Sequence, residues 1–438
     1  MPNDEGNLAG AGETVSLSIS GGRKVYQRKV APTWPVQPAL PLKSLRAALS
    51  ALLLFGFLFG LVHVGLDRLE AGYVDRLATS GDDEVVKGLA LNSRAFQRPD
   101  LLVLMGSSEL TFQDDYHAAR LFAAEPSGFS VYTIGSGYRQ SIHNFLTISA
   151  MDDELKGKEV ALFISPSWFS KRIADKAYQK NFSLVQAYEF AFLAKLSPGL
   201  KQRAARRLLD LGSPGTDDAL LKVALQALAA GDTRGRIRYA AAWPLGRIAL
   251  QYLRLKDQVD LFRHIRDRKL KPVPRAVKPA VLDWAGLLER AGRDAQTQTV
   301  SNGFGIHDDY YAKYVAPNLQ DLKDSARQET WLNSSEYADL ALVLDALAEL
   351  HVKPLFVSLP VLGSYYDYKG HAVTDRQAYY QRVAAQIRAS GFPVADFGNR
   401  EYEPGFMRDP WHPGWKGAVQ IAQTLDQFRH DRLPAANR

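Results

Sequence analysis

The chain contains no cysteine, which removes disulfide staples, thiolate nucleophiles and cysteine-ligated metal sites in one step. None of its nine histidines stands in a His-Glu-x-x-His or His-x-His pattern, so the familiar metal-hydrolase signatures are missing as well. Repeats and low-complexity tracts are also lacking. With 46% hydrophobic and 23% charged residues over 438 positions, the composition is that of a folded chain rather than a solenoid or a disordered polymer. That length exceeds the roughly 100–200 residues of an ordinary domain, so a large domain with additions is expected. Long apolar runs are scarce, and a single stretch reaches eighteen residues without a charge.

That stretch, LSALLLFGFLFGLVHVGL from Leu49 to Leu66, is about as long as an α-helix must be to cross the hydrocarbon layer. A cleaved signal peptide fits less well, because some 45 residues precede the run and no A-x-A-like site follows it. A buried core helix is the other alternative, weakened by length and by the lack of polar periodicity. Arg23, Lys24, Arg28, Lys29, Lys43 and Arg46 precede the span, whereas Asp67, Arg68, Glu70 and Asp75 follow it, which predicts a cytoplasmic N-terminus. The expected organisation is a flexible cytoplasmic tail over 1–44, rich in Gly, Ser and Pro, a transmembrane helix over 45–68, and an extracytoplasmic domain over 69–438 of a single-pass membrane protein.

Beyond the span, short apolar runs alternate with helical patterns: LLVLMG (101–106), FSVYTIG (129–135), EVALFISP (159–166), KPLFVSLP (353–360) and FPVADFG (392–398). Each is followed by turn or helix-start residues, the pattern of parallel strands covered by helices, so an α/β fold is expected. A helical insertion over about 183–300 separates the third and fourth runs, with DALLKVALQALAAG (218–231) apolar at helical spacing. From Lys201 to Lys278 there are 18 Lys and Arg against 7 Asp and Glu, so the net charge of +7 comes from this segment. Such a cluster suits an anionic polymer, anionic headgroups or an acidic partner, the bland alternative being a solvated helical face; nucleic acid is not expected outside the membrane.

The run LLVLMGSSEL (101–110) stops on Gly106, Ser107, Ser108 and Glu109. In an open parallel sheet reacting groups gather beyond the carboxyl ends of the strands, where Ser107 and Ser108 would stand. A helix beginning at Ser108 would aim its first N–H groups at an oxyanion above the serine; the alternative is a serine that only caps that helix. A nucleophilic serine needs a base held by a third group. In RDPWHPGWKGA (408–418), Asp409 and His412 are three apart, so one turn can bring carboxylate to imidazole; the alternative is Asp409 as an N-cap with Pro410 first in a helix. Asp114 and His117 repeat the spacing but follow Ser108 too closely to fold back on it.

Taken together, GSSE (106–109), SPSWF (165–169), SNGFGIHDDYYAKY (301–314), PVLGSYYDYKG (360–370) and DPWHPGWKG (409–417) resemble the D-alanine transfer protein DltD family, which is SGNH/GDSL-hydrolase-like with one N-terminal membrane helix. The resemblance covers nearly the whole chain from residue 45. It implies a three-layer α/β/α sandwich with a parallel sheet and a Ser-His-Asp acyl-transfer site with Ser108 as nucleophile, His412 as base and Asp409 as orienting acid. It further implies Gly137 in the oxyanion hole, with Gly135 as alternative, and Ser167 and Trp168 at the substrate. The sequence departs from the family where Ser167 replaces a frequent Gln and Leu362 a frequent Asn, positions that bear on the polar lining of the pocket. The implied activity is D-alanyl transfer to an envelope polymer such as teichoic acid, without metal or organic cofactor. The implied partners are a membrane-bound O-acyltransferase, an acylated carrier or other acyl donor, and the anionic polymer. An SGNH-like esterase or O-acetyltransferase acting on another glycan, and a non-catalytic polymer-binding subunit, are the competing readings.

Overall fold

The computed structural model describes residues 13–20, 23–30, 42–71, 73, 83–111, 114–125, 127–170, 175–268 and 281–437. They fall in two compact units, Met1–Val62 and His63–Arg438. In the first unit β1 (Glu13–Ser20) and β2 (Arg23–Val30) pair antiparallel, Glu13 opposite Val30 and Ser20 opposite Arg23. The tail reading of 1–44 did not include this hairpin. Its signal is in the sequence: Val15, Leu17 and Ile19 alternate with Thr14, Ser16 and Ser18, and Gly21-Gly22 separates the two strands. α1 (Leu42–Ala71) follows, and its Leu45–Glu70 segment, with mean hydropathy 2.2, is long and apolar enough to cross a membrane by length and composition.

The second unit runs through α2 (Ala90–Gln97), β3 (Leu101–Met105), α3 (Ala118–Ala124), β4 (Ser130–Ile134), α4 (Ser141–Ala150) and β5 (Glu159–Ile164). A helical stretch comes next: α5 (Leu184–Phe192), α6 (Pro198–Leu211), α7 (Ala219–Ala230), α8 (Thr233–Arg268), α9 (Trp284–Gln298) and α10 (Glu336–Glu349). β6 (Lys353–Ser358), α11 (Val373–Ala389), β7 (Val394–Asp396) and α12 (Trp415–Arg429) complete the α/β pattern. The five strands from β3 onward form one parallel sheet in the order β4-β3-β5-β6-β7. All five expected apolar runs lie in it, each losing its last residues to the turn that follows, because Gly, Pro and Ser at those ends leave the ladder.

Strand side chains alternate between two cores, which is why apolar residues run through β3 without a polar break. Leu102 and Leu104 face a cluster built with Phe122 of α3, Ala291 of α9 and Val419 of α12. Val103 and Met105 face the other, built with Phe145 of α4, Val343 of α10 and Val383 of α11. Helices therefore cover both faces in three layers.

Part of the basic surplus is spent inside this structure. Arg207 of α6 holds Asp339 of α10 through two bonds of 2.7 Å, Arg254 of α8 donates to Glu189 of α5 at 2.5 Å, and Lys256 meets Asp260 at 2.6 Å.

Candidate functional site

In the strand order β4-β3-β5, the chain leaves β3 to one side and later returns to its other side at β5. Crossovers that diverge in this way open a space beyond the carboxyl ends of the two strands. Gly106 closes β3: a Cβ there would lie 2.2 Å from Glu109 Oε1 and 3.0 Å from Phe163 Cβ, so only glycine permits the turn. Ser107 is buried, and its hydroxyl donates to the Ser136 carbonyl at 3.1 Å, tying the β3 loop to the β4 loop. Ser108 stands next to it, half-buried, at the head of a single 3₁₀ turn, Ser108–Leu110.

The helix expected to begin at Ser108 is not formed there, since α3 starts only at Ala118. Local side chains satisfy this backbone instead: the Thr111 hydroxyl bonds back to the Ser108 carbonyl at 2.8 Å, and Glu109 turns inward to accept from the Ser107 amide at 2.5 Å. Asp114 and His117 do not form a carboxylate–imidazole pair. Asp114 accepts from the Tyr116 and Trp415 amides, while the His117 ring accepts from the Ala119 amide and caps α3.

On the opposite wall a tight loop precedes α12, closed by the Arg408 amide donating to the His412 carbonyl at 2.9 Å. Asp409 is fully buried in it. Its Oδ1 accepts from the Trp411 amide at 2.9 Å and the His412 amide at 3.0 Å, so the carboxylate caps this turn while its Oδ2 lies 2.8 Å from His412 Nδ1. A carboxylate at that distance holds the ring proton on Nδ1 and leaves Nε2 as an acceptor. Nε2 lies 2.8 Å from Ser108 Oγ. The three residues named from the sequence thus form one hydrogen-bonded chain.

Burial would lower the basicity of the His412 ring, but the hydrogen bond and charge of Asp409, helped by the charge of Glu109, outweigh it and carry its pKa above the usual histidine range. The Glu109 carboxyl is itself raised by burial, and the amides and His412 pull it only part of the way back. Glu109 was absent from the expected site residues. Its signal was its place directly after the serine pair, ambiguous because a glutamate in a first turn ordinarily faces water.

Gly135 and Gly137 differ in surroundings. A Cβ on Gly135 would lie 2.5 Å from Leu110 Cβ and 2.6 Å from the Ser107 carbonyl oxygen, whereas the nearest atom to one on Gly137 is Lys180 Nζ at 3.7 Å. Gly135 is thus required for the two loops to approach, and Gly137 stands in more open space with its carbonyl accepting from Asn181 Nδ2 at 2.9 Å. Gly135→Ala is therefore expected to displace the Ser107–Ser108 turn and cost about 1–3 kcal/mol by overpacking, with Gly137→Ala changing stability by less than about 0.5 kcal/mol. Chemical denaturation of the two variants checks this, and equal midpoints would refute it.

Ser167 lies after β5, with its hydroxyl 2.8 Å from the Ser165 hydroxyl. Trp168 is 3% exposed and belongs to the core on the α4 face, so its ring packs under the loop instead of offering a binding surface. Leu362 is buried too, its amide donating to the Pro410 carbonyl at 3.3 Å, and it borders a cavity of about 710 Å³ lined further by Phe304, Ser364, Met407 and Lys416. Tyr310 is close enough to Asp409 for that charge, after burial, to raise its phenol. Among the described residues, no group of three or more His, Asp or Glu is placed to hold a metal ion.

The model of the family described as DltD protein matches residues 78–430. The chain is 33% identical over 358 residues to Protein DltD of Bacillus subtilis (strain 168), covering 81% of this chain and 89% of that one. To Protein DltD of Lacticaseibacillus rhamnosus it is 29% identical over 384 residues, 86% of this chain and 87% of that one. To Protein DltD of Staphylococcus aureus (strain NCTC 8325 / PS 47) it is 26% identical over 350 residues, covering 79% and 85%.

Proposed function

This chain belongs to the DltD protein family, and from that membership we propose that it acts in D-alanylation of an envelope polymer of the teichoic-acid type, as a membrane-anchored, serine-dependent acyltransferase with an SGNH-like site. The observation that carries the serine dependence is the unbroken path from Asp409 through His412 to Ser108 Oγ. In this mechanism Ser108 attacks the activated carbonyl of the acyl donor while His412 Nε2 takes the hydroxyl proton. The buried Asp409 carboxylate stabilises the imidazolium that results and keeps the ring oriented. Amides of the Ser108 turn and of Gly137 receive the oxyanion. His412 then returns the proton to the leaving group; an acceptor hydroxyl, deprotonated by the same ring, displaces the acyl group, and the ring passes that proton to the departing Ser108 oxygen.

The donor in this proposal is delivered by a membrane-bound O-acyltransferase or an acylated carrier. α1 holds the domain at the membrane with the N-terminus on the cytoplasmic side, placing the serine outside. Incubating the purified full-length chain with an activated D-alanyl thioester and weighing the digested peptides is expected to show one D-alanyl adduct, on the peptide carrying Ser108. An acetyl adduct formed in preference from an acetyl donor would favour the esterase or acetyltransferase reading. No adduct with either donor, alongside retained polymer binding, would favour a binding subunit.

A further inference from the structure

α8 spans Thr233–Arg268, 36 residues and roughly 54 Å at 1.5 Å per residue. Its inner face is fixed to the domain. Ala242, Leu250 and Gln258 are buried, and Gly246 passes so close to α5 that a Cβ would lie 2.2 Å from the Phe192 ring. The opposite face carries large apolar side chains into the open: Ile237, Leu245, Ile248 and Tyr252 are each 61–69% exposed. At about 100° per residue these four fall within an arc of about 80°, a continuous stripe. Exposed Arg234 and Arg238 border its N-terminal end, while the Trp243 ring, with Arg247 5.3 Å from its centroid, lies on the far side of the helix by the same count.

A second observation gives the stripe a direction. The same count puts Phe262 at the edge of that arc, and Phe262 is where Tyr73, two residues past the end of α1, packs its ring, with centroids 5.8 Å apart and edge to face. Glu70 in the last turn of α1 lies 4.0 Å from Arg94 of α2, so the exit of the apolar helix is held on this part of the domain. The chain that leaves α1 therefore meets α8 at Phe262, beside the line of the stripe and ten residues beyond Tyr252.

We propose that α8 docks on the lipid bilayer, its stripe of Ile237, Leu245, Ile248 and Tyr252 seated at the boundary of headgroups and acyl chains and its arginines on anionic headgroups. The proposal rests on the reading of α1 as a membrane anchor. Charge complementarity selects the occupant: an exposed apolar stripe with Arg234 and Arg238 at its end, on a helix with a basic surplus, suits the boundary of an anionic bilayer. Docking along α8 would fix the orientation of the domain above the membrane, and with it the height of Ser108 over the surface that supplies the acyl donor.

The lack of native cysteine allows a direct test. Full-length chains carrying Ile248→Cys or Val300→Cys, the latter residue 74% exposed in the loop after α9, are labelled with bimane and reconstituted in vesicles of phosphatidylglycerol and phosphatidylcholine. Doxyl-lipid quenching at position 248 is expected to exceed that at 300 several-fold, and the excess to vanish when Leu245→Glu and Tyr252→Glu are added. Equal quenching at the two positions would overturn the docking. So would a 248 label that is shielded from aqueous iodide but untouched by doxyl lipid, which would assign the stripe to a second protein chain. Alkaline carbonate separates the two readings: a chain extracted by it refutes the anchor and the docking together, while a chain retained yet unquenched refutes the docking alone.

Discussion

Ser108→Ala is expected to lower D-alanyl transfer about 10⁴-fold or more while moving the thermal midpoint hardly at all. The hydroxyl is the atom that would carry the acyl group, and among the described residues its bond is to His412 Nε2 at 2.8 Å. Losing one partly exposed hydrogen bond costs at most about 1 kcal/mol. His412→Ala is expected to be as damaging as the serine change, and Asp409→Asn less so, because residues acting as a unit lose activity non-additively. Ser107→Ala removes a bond to the Ser136 carbonyl and should cost about 1 kcal/mol of stability with most of the activity kept. The pH dependence distinguishes the roles. Only neutral His412 can accept the proton, so the rate rises with pH through the pKa of this ring, and that acidic limb lies above the usual histidine range. Asp409→Asn removes the bond and the charge that raise it, so the limb should move to lower pH. A purified Ser108→Ala protein that still transfers, or an acidic limb that stays in place in Asp409→Asn, would defeat the assignment.

Arg207→Met is expected to be the most destabilising single change in the helical stretch, by about 3–5 kcal/mol, because it strands a buried carboxylate. Asp339 is buried and takes both 2.7 Å bonds from this guanidinium. Beside it Glu336 accepts from the Ser141 amide at the start of α4, with a carboxyl held well above its usual range by burial first and by the charge of Asp339 second. Without Arg207 two acidic groups would share a dry site. The double variant Arg207→Met, Asp339→Leu should recover most of the loss, since replacing both charges leaves nothing unpaired. Thermal unfolding of the full-length chain in detergent reads this out, and a single variant that lost less than about 1 kcal/mol would show the pair to be incidental. The consequence reaches the site, because Ser141 directly follows the Gly135–Gln140 loop that packs on the Ser107–Ser108 turn. This arginine counted toward the basic surplus in the sequence, yet in the fold it is a structural cation and is not available to a polymer.

Much of the architecture is determined by neighbours in the chain, and that part is legible in the sequence. Apolar runs such as LLVLM and EVALFI need burial on two faces, which only an internal parallel strand gives them, and the uncharged run of α1 satisfies its backbone as a helix whatever surrounds it. The contact of Asp409 with His412 is local as well, since one turn closed by amides of residues 411 and 412 suffices to make it. The link from His412 to Ser108 spans 304 positions and exists because the sheet order puts the loop after β3 against the loop before α12, which no local periodicity encodes. Tertiary packing also turned Glu109 inward, where its sequence position suggested a solvated first-turn acid, and drew Trp168 into the core, where the matching motif suggested a binding wall. It alone separated the cations bound to Asp339 and Glu189 from those left beside the exposed stripe of α8. The physical reason is common to these cases: propensity and periodicity follow from covalent neighbours, whereas the burial of a charge or a ring depends on which distant segment arrives to cover it.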